Sequence, residues 1–517
     1  KTNIDAINLQ LKLPSLDKKM SLNGDVSVNG TAYTLSLGLA SLRGFLEGAQ
    51  TAVTLAVASD FLRFSFDGAF AQSEDLELAG TMNIDVPSLQ KLAKEQGQTF
   101  SASPGTFENF SVTGFVKGRP NHLSFDNANL VFDNIKATGK FSAQLGGATP
   151  KFSGNLRVAR LDLNPYLPPP PAKSITIAPW ADDTLSMEPL RAANGNFTLD
   201  VDSILVRNIE FGATTLQTNL VNGRLEANLT KTSLYGGAGT GQIVLNGRGR
   251  TPSFSMKFNI ADVEALPLFD AATGFNRLSG TGELAISLLT SGTSVDAMMN
   301  NLSGTTNLHL SDGAILGINL ANVLRNAQTY LLTGALPANL NTQEKTDFSS
   351  LQGSFNIAGG VARNTDMLMV GPLVRVTGNG QVDLGQQTLD YRITPKAVAS
   401  LQGQGGKTDL SGLSAPFRIH GSWNNVKAGI DTKALAEIVA NQAKTQVRKL
   451  IGDNIGGDVG KVLQGLLGPK PEPTAQPTSE PPTEKSDEEK ALETLGNLFG
   501  FGKKQEPPTE EAKDGDE

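Results

Sequence analysis

The sequence predicts a mainly β fold: an elongated, twisted antiparallel sheet forming an open apolar groove, with a few short helices and a disordered acidic tail. Three observations carry this. Apolar residues alternate with polar ones at period two through most of the chain, as in Leu35-Ser-Leu37-Gly-Leu39, Val53-Thr-Leu55-Ala-Val57 and Phe355-Asn-Ile357. Glycine occupies 55 positions, too many for a helical bundle, while 39% hydrophobic residues are too many for a wholly disordered chain of 517 residues. Helical periodicity is confined to a few segments, so most one-sided strands must find cover elsewhere.

Along the chain, strands are expected from Val26-Ser-Val28, Phe64-Ser-Phe66 and Leu76-Glu-Leu78 through Leu308-His-Leu310, Val374-Arg-Val376, Val382-Asp-Leu384 and Leu389-Asp-Tyr391-Arg-Ile393. Asn29-Gly30, Asn222-Gly223, Asn246-Gly247 and Gly378-Asn379-Gly380 read as hairpin punctuation between them. A loose repeat closes strands with two apolar residues three apart: Leu13-Pro-Ser-Leu16, Val86-Pro-Ser-Leu89, Leu163-Asn-Pro-Tyr166 and Val263-Glu-Ala-Leu266. Its starts are separated by 73, 77 and 100 residues, which suits repeated β modules better than a strict solenoid. A second echo, Thr-Gly at Thr138-Gly139, Thr240-Gly241 and Thr377-Gly378, is read as a hairpin signal, as are Gly239-Thr-Gly241 and Gly280-Thr-Gly282.

Helices are expected at Ser88 to Gln96, between Pro87 and Gly97, at Asn319 to Leu331, and at Thr432 to Ile451, the last two with an apolar stripe. The segment from Pro168-Pro-Pro-Pro171 to Trp180 and Asp183 reads as a stiff linker or long loop. From Pro469 onward, Pro, Glu, Thr and Lys dominate, so disorder is expected, with Glu488 to Phe501 as a short docking helix.

Charge and missing chemistry narrow the function. Residues 469–517 hold 13 acids and 6 bases, leaving 38 of each in the body, so the tail carries the whole net charge of -7. A neutral body without a Lys/Arg face disfavours nucleic-acid binding as a main role. Cysteine is absent, which removes disulfides, thiol nucleophiles and Cys-ligated metals and suits an oxidising compartment. His122, His309 and His420 lie far apart, and the last two alternate with apolar neighbours, which puts them on the polar side of strands.

Nucleophile and phosphate motifs fail on single positions. Gly412-Leu-Ser414-Ala-Pro416 ends in proline where a nucleophile elbow needs glycine, and Leu401 stands where a phosphate loop ending in Gly406-Lys407-Thr408 needs its first glycine. The carboxylates, Asp182, Asp183, Asp200 and Asp202 among them, form no dyad legible in the sequence. The expectation is a protein that is not an enzyme and needs no cofactor or metal. A carboxylate glycosidase remains a competing class that would require a polar cleft with two carboxylates about 5 to 10 Å apart.

The cover problem then points to a ligand. About 25 strands at about 4.8 Å each would make a sheet on the order of 120 Å long, too long for one ordinary barrel or sandwich. An elongated, twisted gutter or several packed modules fits better, and the apolar face of a gutter suits lipid. Exposing about 30 acyl methylenes at about 0.8 kcal/mol each costs roughly 24 kcal/mol, so a phospholipid crossing water needs a continuous apolar path.

Residues from about Phe275 to Ile430 resemble the C-terminal region of the AsmA family of Gram-negative envelope proteins. The matching text includes Leu278-Ser-Gly-Thr-Gly-Glu-Leu284, Met298-Met-Asn-Asn-Leu-Ser-Gly304, Leu308-His-Leu-Ser-Asp-Gly-Ala-Ile-Leu-Gly-Ile-Asn-Leu320 and Phe348-Ser-Ser-Leu-Gln-Gly-Ser-Phe355. It continues with Gly371-Pro-Leu-Val-Arg-Val-Thr-Gly378, Val382-Asp-Leu384, Leu389-Asp-Tyr391 and Ile419-His-Gly421-Ser-Trp423, while Asn319 stands where the family often has Asp. The looser upstream strands look like the same family's variable middle. The resemblance implies a periplasmic body anchored to the inner membrane of a Gram-negative bacterium by one N-terminal helix. No such helix is in the sequence, and Lys1 is not an initiator Met, so a fragment or processed form is expected. It further implies kinship to bridge-like lipid transfer proteins built of β-groove modules, with phospholipids as cargo and outer-membrane assembly proteins as partners.

The organisation expected on this basis is β-groove modules over 1–167, a Pro-rich linker or long loop over 168–190, and a further module over 191–274. An AsmA-like β region over 275–430, amphipathic helices over 431–468 and the tail over 469–517 follow. The groove lining is expected from Leu308, Leu310, Phe355, Ile357, Val374, Val376, Val382, Leu384, Leu389, Tyr391, Ile393, Phe417 and Ile419. The expected function is non-enzymatic phospholipid transfer between inner and outer membrane in support of outer-membrane assembly. The alternative is a scaffold or regulator of outer-membrane protein assembly that carries no lipid.

Overall fold

The computed structural model describes residues 3–72, 75–95, 97, 104–167, 177–325, 344–398, 414, 416–431, 433, 434 and 437. Strands β1 (Ile4–Lys12), β2 (Met20–Val28) and β3 (Thr31–Leu39) lead into helix α1 (Leu42–Leu46). Next come β4 (Thr51–Ala58), β5 (Arg63–Gln72) and β6 (Leu76–Val86), then α2 (Leu89–Glu95). The first part ends with β7 (Phe110–Arg119), β8 (His122–Phe132), β9 (Ile135–Gln144) and β10 (Lys151–Asp162). After the crossover follow β11 (Asn194–Val206), β12 (Ile209–Phe211), β13 (Thr214–Val221), β14 (Arg224–Leu234), β15 (Gly237–Asn246) and β16 (Ser253–Glu264). Helix α3 (Ala265–Thr273), β17 (Leu278–Ser291), α4 (Val295–Asn300), β18 (Ser303–Leu316) and α5 (Leu320–Arg325) come next. The last strands are β19 (Lys345–Ala358), β20 (Val361–Val370), β21 (Val374–Asp383), β22 (Thr388–Ala397), β23 (Phe417–Ser422) and β24 (Asn425–Ile430).

These make one open sheet of 24 strands in which sequence neighbours pair antiparallel with two exceptions: the three-residue β12 pairs with β11 alone while β11 pairs onward with β13, and one pair is parallel. Strands β10 and β11 pair in parallel, Leu156 opposite Leu199 and Val158 opposite Val201, because the chain returns to the starting rim between them. The segment expected as a linker is that return. Its residues 168–176 lie outside the described ones; residues 177–193 run along the rim that carries α4. There Ile177 exchanges hydrogen bonds with Asn424, Trp180 Nε1 donates to the Leu384 carbonyl at 2.7 Å, and Leu185 N donates to Thr293 O at 2.8 Å. Arg191 then donates to the Gly247 carbonyl. This strap thus ties the turns after β23, β21, β17 and β15 to one another.

Chain reach shows that this half of the sheet is curled. Leu167 follows β10 at one rim and Ile177 sits on the β23–β24 turn at the other, ten residues later. Ten residues span at most about 36 Å, whereas the strands between would extend about 60 Å if laid flat.

All four apolar pairs of the loose repeat mark strand ends, following β1, β6, β10 and β16, and the last three lead into helical turns. The Thr-Gly echo has a different role from the one expected. Gly139, Gly241 and Gly378 lie inside β9, β15 and β21, as Gly239, Gly280, Gly282 and Gly380 lie inside strands, and none makes a hairpin turn. Gly241 sits opposite Phe258, and a Cβ there would collide with that ring. Asn29-Gly30 and Asn222-Gly223 do turn, with Asn29 and Asn222 at positive φ.

The helices expected at Ser88–Gln96 and Asn319–Leu331 are found as α2 and α5, the latter described only to Arg325. Asn319 caps α5 by accepting from Asn322 N at 3.0 Å, a role Asn and Asp fill equally well. Of Thr432–Ile451 only residues 433, 434 and 437 are described, and they are helical. The near-miss motif at Gly406-Lys407-Thr408, most of the one at Gly412–Pro416, and the tail lie outside the described residues. Among the described residues no helix is long and apolar enough to cross a membrane.

Candidate functional site: a continuous apolar face

Register decides what the sheet presents. Directly opposed residues in a ladder share a face, so pairings can be followed from strand to strand. Leu310 opposes Leu351, Leu351 opposes Met369, Met369 opposes Val376 and Val376 opposes Pro395. One step along, Gly378 opposes Ile393, Ile393 opposes Phe417 and Tyr391 opposes Ile419. Every one of the expected lining residues falls on this face. Arg375 opposes Lys396 and His420 opposes Asp390 on the other, where Arg418 Nε donates to Asp390 at 2.8 Å. His309 and His420 are therefore on the polar side.

The same face continues through the whole sheet. Leu284 opposes Leu308, Phe258 opposes Ile286, Leu156 pairs with Leu199, Phe125 opposes Phe141, Phe66 opposes Met82 and Leu37 opposes Leu55. One apolar cluster runs from Leu39 to Leu284, and half-buried Leu308 packs on both it and the next. Its centre is deeply buried, Val116 at 0% and Phe125 at 1% exposure, although among the described residues no second sheet covers it. With no second layer, such burial requires the apolar side of the sheet to be the concave one there, where neighbouring side chains fill the space a second layer would occupy. Stacked rings such as Phe66–Phe70 and Phe141–Phe152, with centroids 5.2 and 6.0 Å apart, line it. At the β1 end the face is open, with Ile7 and Leu11 more than half exposed.

Within the C-terminal part the expected residues divide into two groups. Leu308, Leu310, Val374, Val376, Ile393 and Phe417 gather with Met369, Phe348 and the α5 residues Leu320, Ala321 and Val323. Phe355, Ile357, Val382 and Leu384 gather with Leu302 and Met299 at the α4 rim. Leu389, Tyr391 and Ile419 lie on the face between, half-buried and outside both clusters.

Between the clusters sits a polar site that alternation alone does not reveal. A bulge in β20 between Asn364 and Met367 shifts the register by one, turning Asn364 onto the apolar face at 1% exposure. The Tyr391 hydroxyl donates to Asn364 Oδ1 at 2.5 Å, and Asn364 Nδ2 donates to the Ser354 carbonyl and to Asp366 Oδ1, each at 2.7 Å. Hydrogen bonds from the Ser354 hydroxyl and amide hold the Asp366 carboxyl below its usual range. Burial, and secondly the Asp366 charge, push the Tyr391 phenol up to about 12. Each group is satisfied, so the site fixes the bulge and offers no reactive base.

The model of the AsmA family matches residues 2–367. "Protein AsmA" of Escherichia coli (strain K12) is 23% identical over 291 residues, covering 55% of this chain and 46% of that protein. The chain thus spans about half the length of that relative. No solved structure matches. The matched range takes in all strands before Phe275, more than the C-terminal text alone suggested, and stops before Gly371.

Proposed function

The chain belongs to the AsmA family, and from that premise we propose that it is a non-enzymatic lipid-binding and lipid-transfer protein of the bacterial envelope. Family likeness points to the envelope; the reading taken here is a periplasmic body, held at the inner membrane, that moves phospholipid toward or from the outer membrane and supports its assembly. The observation that carries this is the apolar face continuous over 24 strands with no second layer among the described residues. A face of that length is costly to leave in water, at about 25 cal/mol per Å² of apolar surface, and acyl chains match it in chemistry and in continuity. The opposite face carries the charges, as a body standing in water requires. The buried polar cluster on the apolar face, Asn364 with Tyr391 and Asp366, is bonded within itself and to backbone, so it serves the sheet rather than a reaction.

The test is to purify the full chain from cells in mild detergent and identify what accompanies it by native mass spectrometry. Phospholipid retained at several molecules per chain is the expected result. A lipid-free body bound to outer-membrane assembly proteins contradicts it and establishes the scaffold alternative.

A further inference from the structure

Helix α5 lies on the apolar face. It touches both β19 and β22, which have β20 and β21 between them in the ladder, so it crosses over those two strands. Leu320, Ala321 and Val323 are buried in one cluster with Phe348, Met369, Val376 and Ala397, one residue from each of the four strands. The side is settled by register: Met369 opposes Val376 on the apolar face, and Ala397 opposes Val374 one step along the same face. Beneath the helix Met369 is 1% and Val376 2% exposed, so this stretch is closed to any ligand while α5 is seated.

The seat is held by little. The Thr346 hydroxyl accepts from Leu320 N at 2.9 Å and donates to the Ile318 carbonyl at 2.7 Å, which fixes the entry to the helix. The three buried side chains add apolar contact, which is non-directional. An acyl chain can therefore replace them and leave no polar group of the sheet beneath unpaired. A helix of six residues is too short to persist in water by itself, so its own order depends on the seat. Half-buried Leu308 joins this stretch to the rest of the apolar face.

We propose that α5 is a displaceable plug in the lipid path. Seated, it occupies the acyl-chain position over β19–β22 and ends the path beyond Leu308; lipid arriving at this end takes its place and makes the face continuous. This deepens the lipid-binding reading and rests on it.

A phosphatidylglycerol with a diazirine at the end of one acyl chain, added to the delipidated full chain and irradiated, tests the plug, with peptide mass spectrometry reporting the residues that the acyl chain touches. Leu37 and Leu55, opposed and half-buried on the same face and distant from α5 in the ladder, serve as reference. Relative to them, Met369 and Val376 should be labelled weakly in wild type. Thr346→Val keeps the shape and removes the hydroxyl, and should raise that ratio about fivefold, the size of one neutral hydrogen bond. Val323→Ser weakens the apolar hold with Thr346 in place and should raise it as well. A rise in either variant supports the plug. A ratio that both variants leave as in wild type overturns it, with lipid binding intact; labelling raised equally at the reference residues gives that same ratio and reports a loosened sheet. No labelling at any of the four residues in any of the three chains overturns the lipid-binding reading itself.

Discussion

Glycines facing large side chains are what allow phenylalanines to lie flat on the concave face. Gly241 beneath Phe258 is the clearest case, and Gly241→Val should cost about 1–3 kcal/mol by overpacking, read as a lowered urea midpoint with unchanged slope. The sequence shows Thr-Gly at such places but cannot distinguish a turn from a close approach, because the difference is the residue opposite, supplied by another strand. Alternation alone placed Leu308 and His309 on opposite faces, since period two is local. It gave no sign of Asn364, whose placement depends on a bulge. That polar site has a pH signature. The Tyr391 phenol titrates near 12 in the folded chain against an ordinary 10.0, so the neutral form favours folding. Its contribution is complete below pH 10 and is lost as pH rises toward about 12. In Tyr391→Phe the loss of stability over that window should be smaller than in wild type, measured as urea midpoint against pH.

Short elements and one crossover organise the strands. Helices of five to nine residues, α1, α3 and α4 among them, are too short to show a stripe against the alternating background and were not legible in the sequence. The strap over residues 177–193 was legible as irregular but not as a tie, since its partners lie up to 247 residues away. It brings together the only two tryptophans of the chain, Trp180 and Trp423, edge to face with centroids 6.3 Å apart. Trp180→Phe removes the donor to the Leu384 carbonyl and should cost about 1 kcal/mol. If the strap holds the rim, emission from Trp423 in that variant shifts to the red in urea below the global midpoint. Emission that moves only with global unfolding would show that the sheet keeps its curl without the tie.

At the scale of the molecule, the fold follows from one excess: strands with an apolar face far outnumber the helices able to cover them. The sequence carries that excess openly, which is why the open sheet and its one-sided apolar face were both legible. The parallel pairing of β10 with β11 was not, because it depends on where a long crossover returns. In the proposed function, the inner face of this curled sheet takes lipid and its outer face takes water. Photocrosslinking in intact cells tests that claim most directly, with the probe at Leu308, half-buried on the apolar face, and at its neighbour His309, exposed on the other. The account predicts phospholipid captured at Leu308 and none at His309; protein alone at both sites, or lipid equally at both, would contradict it.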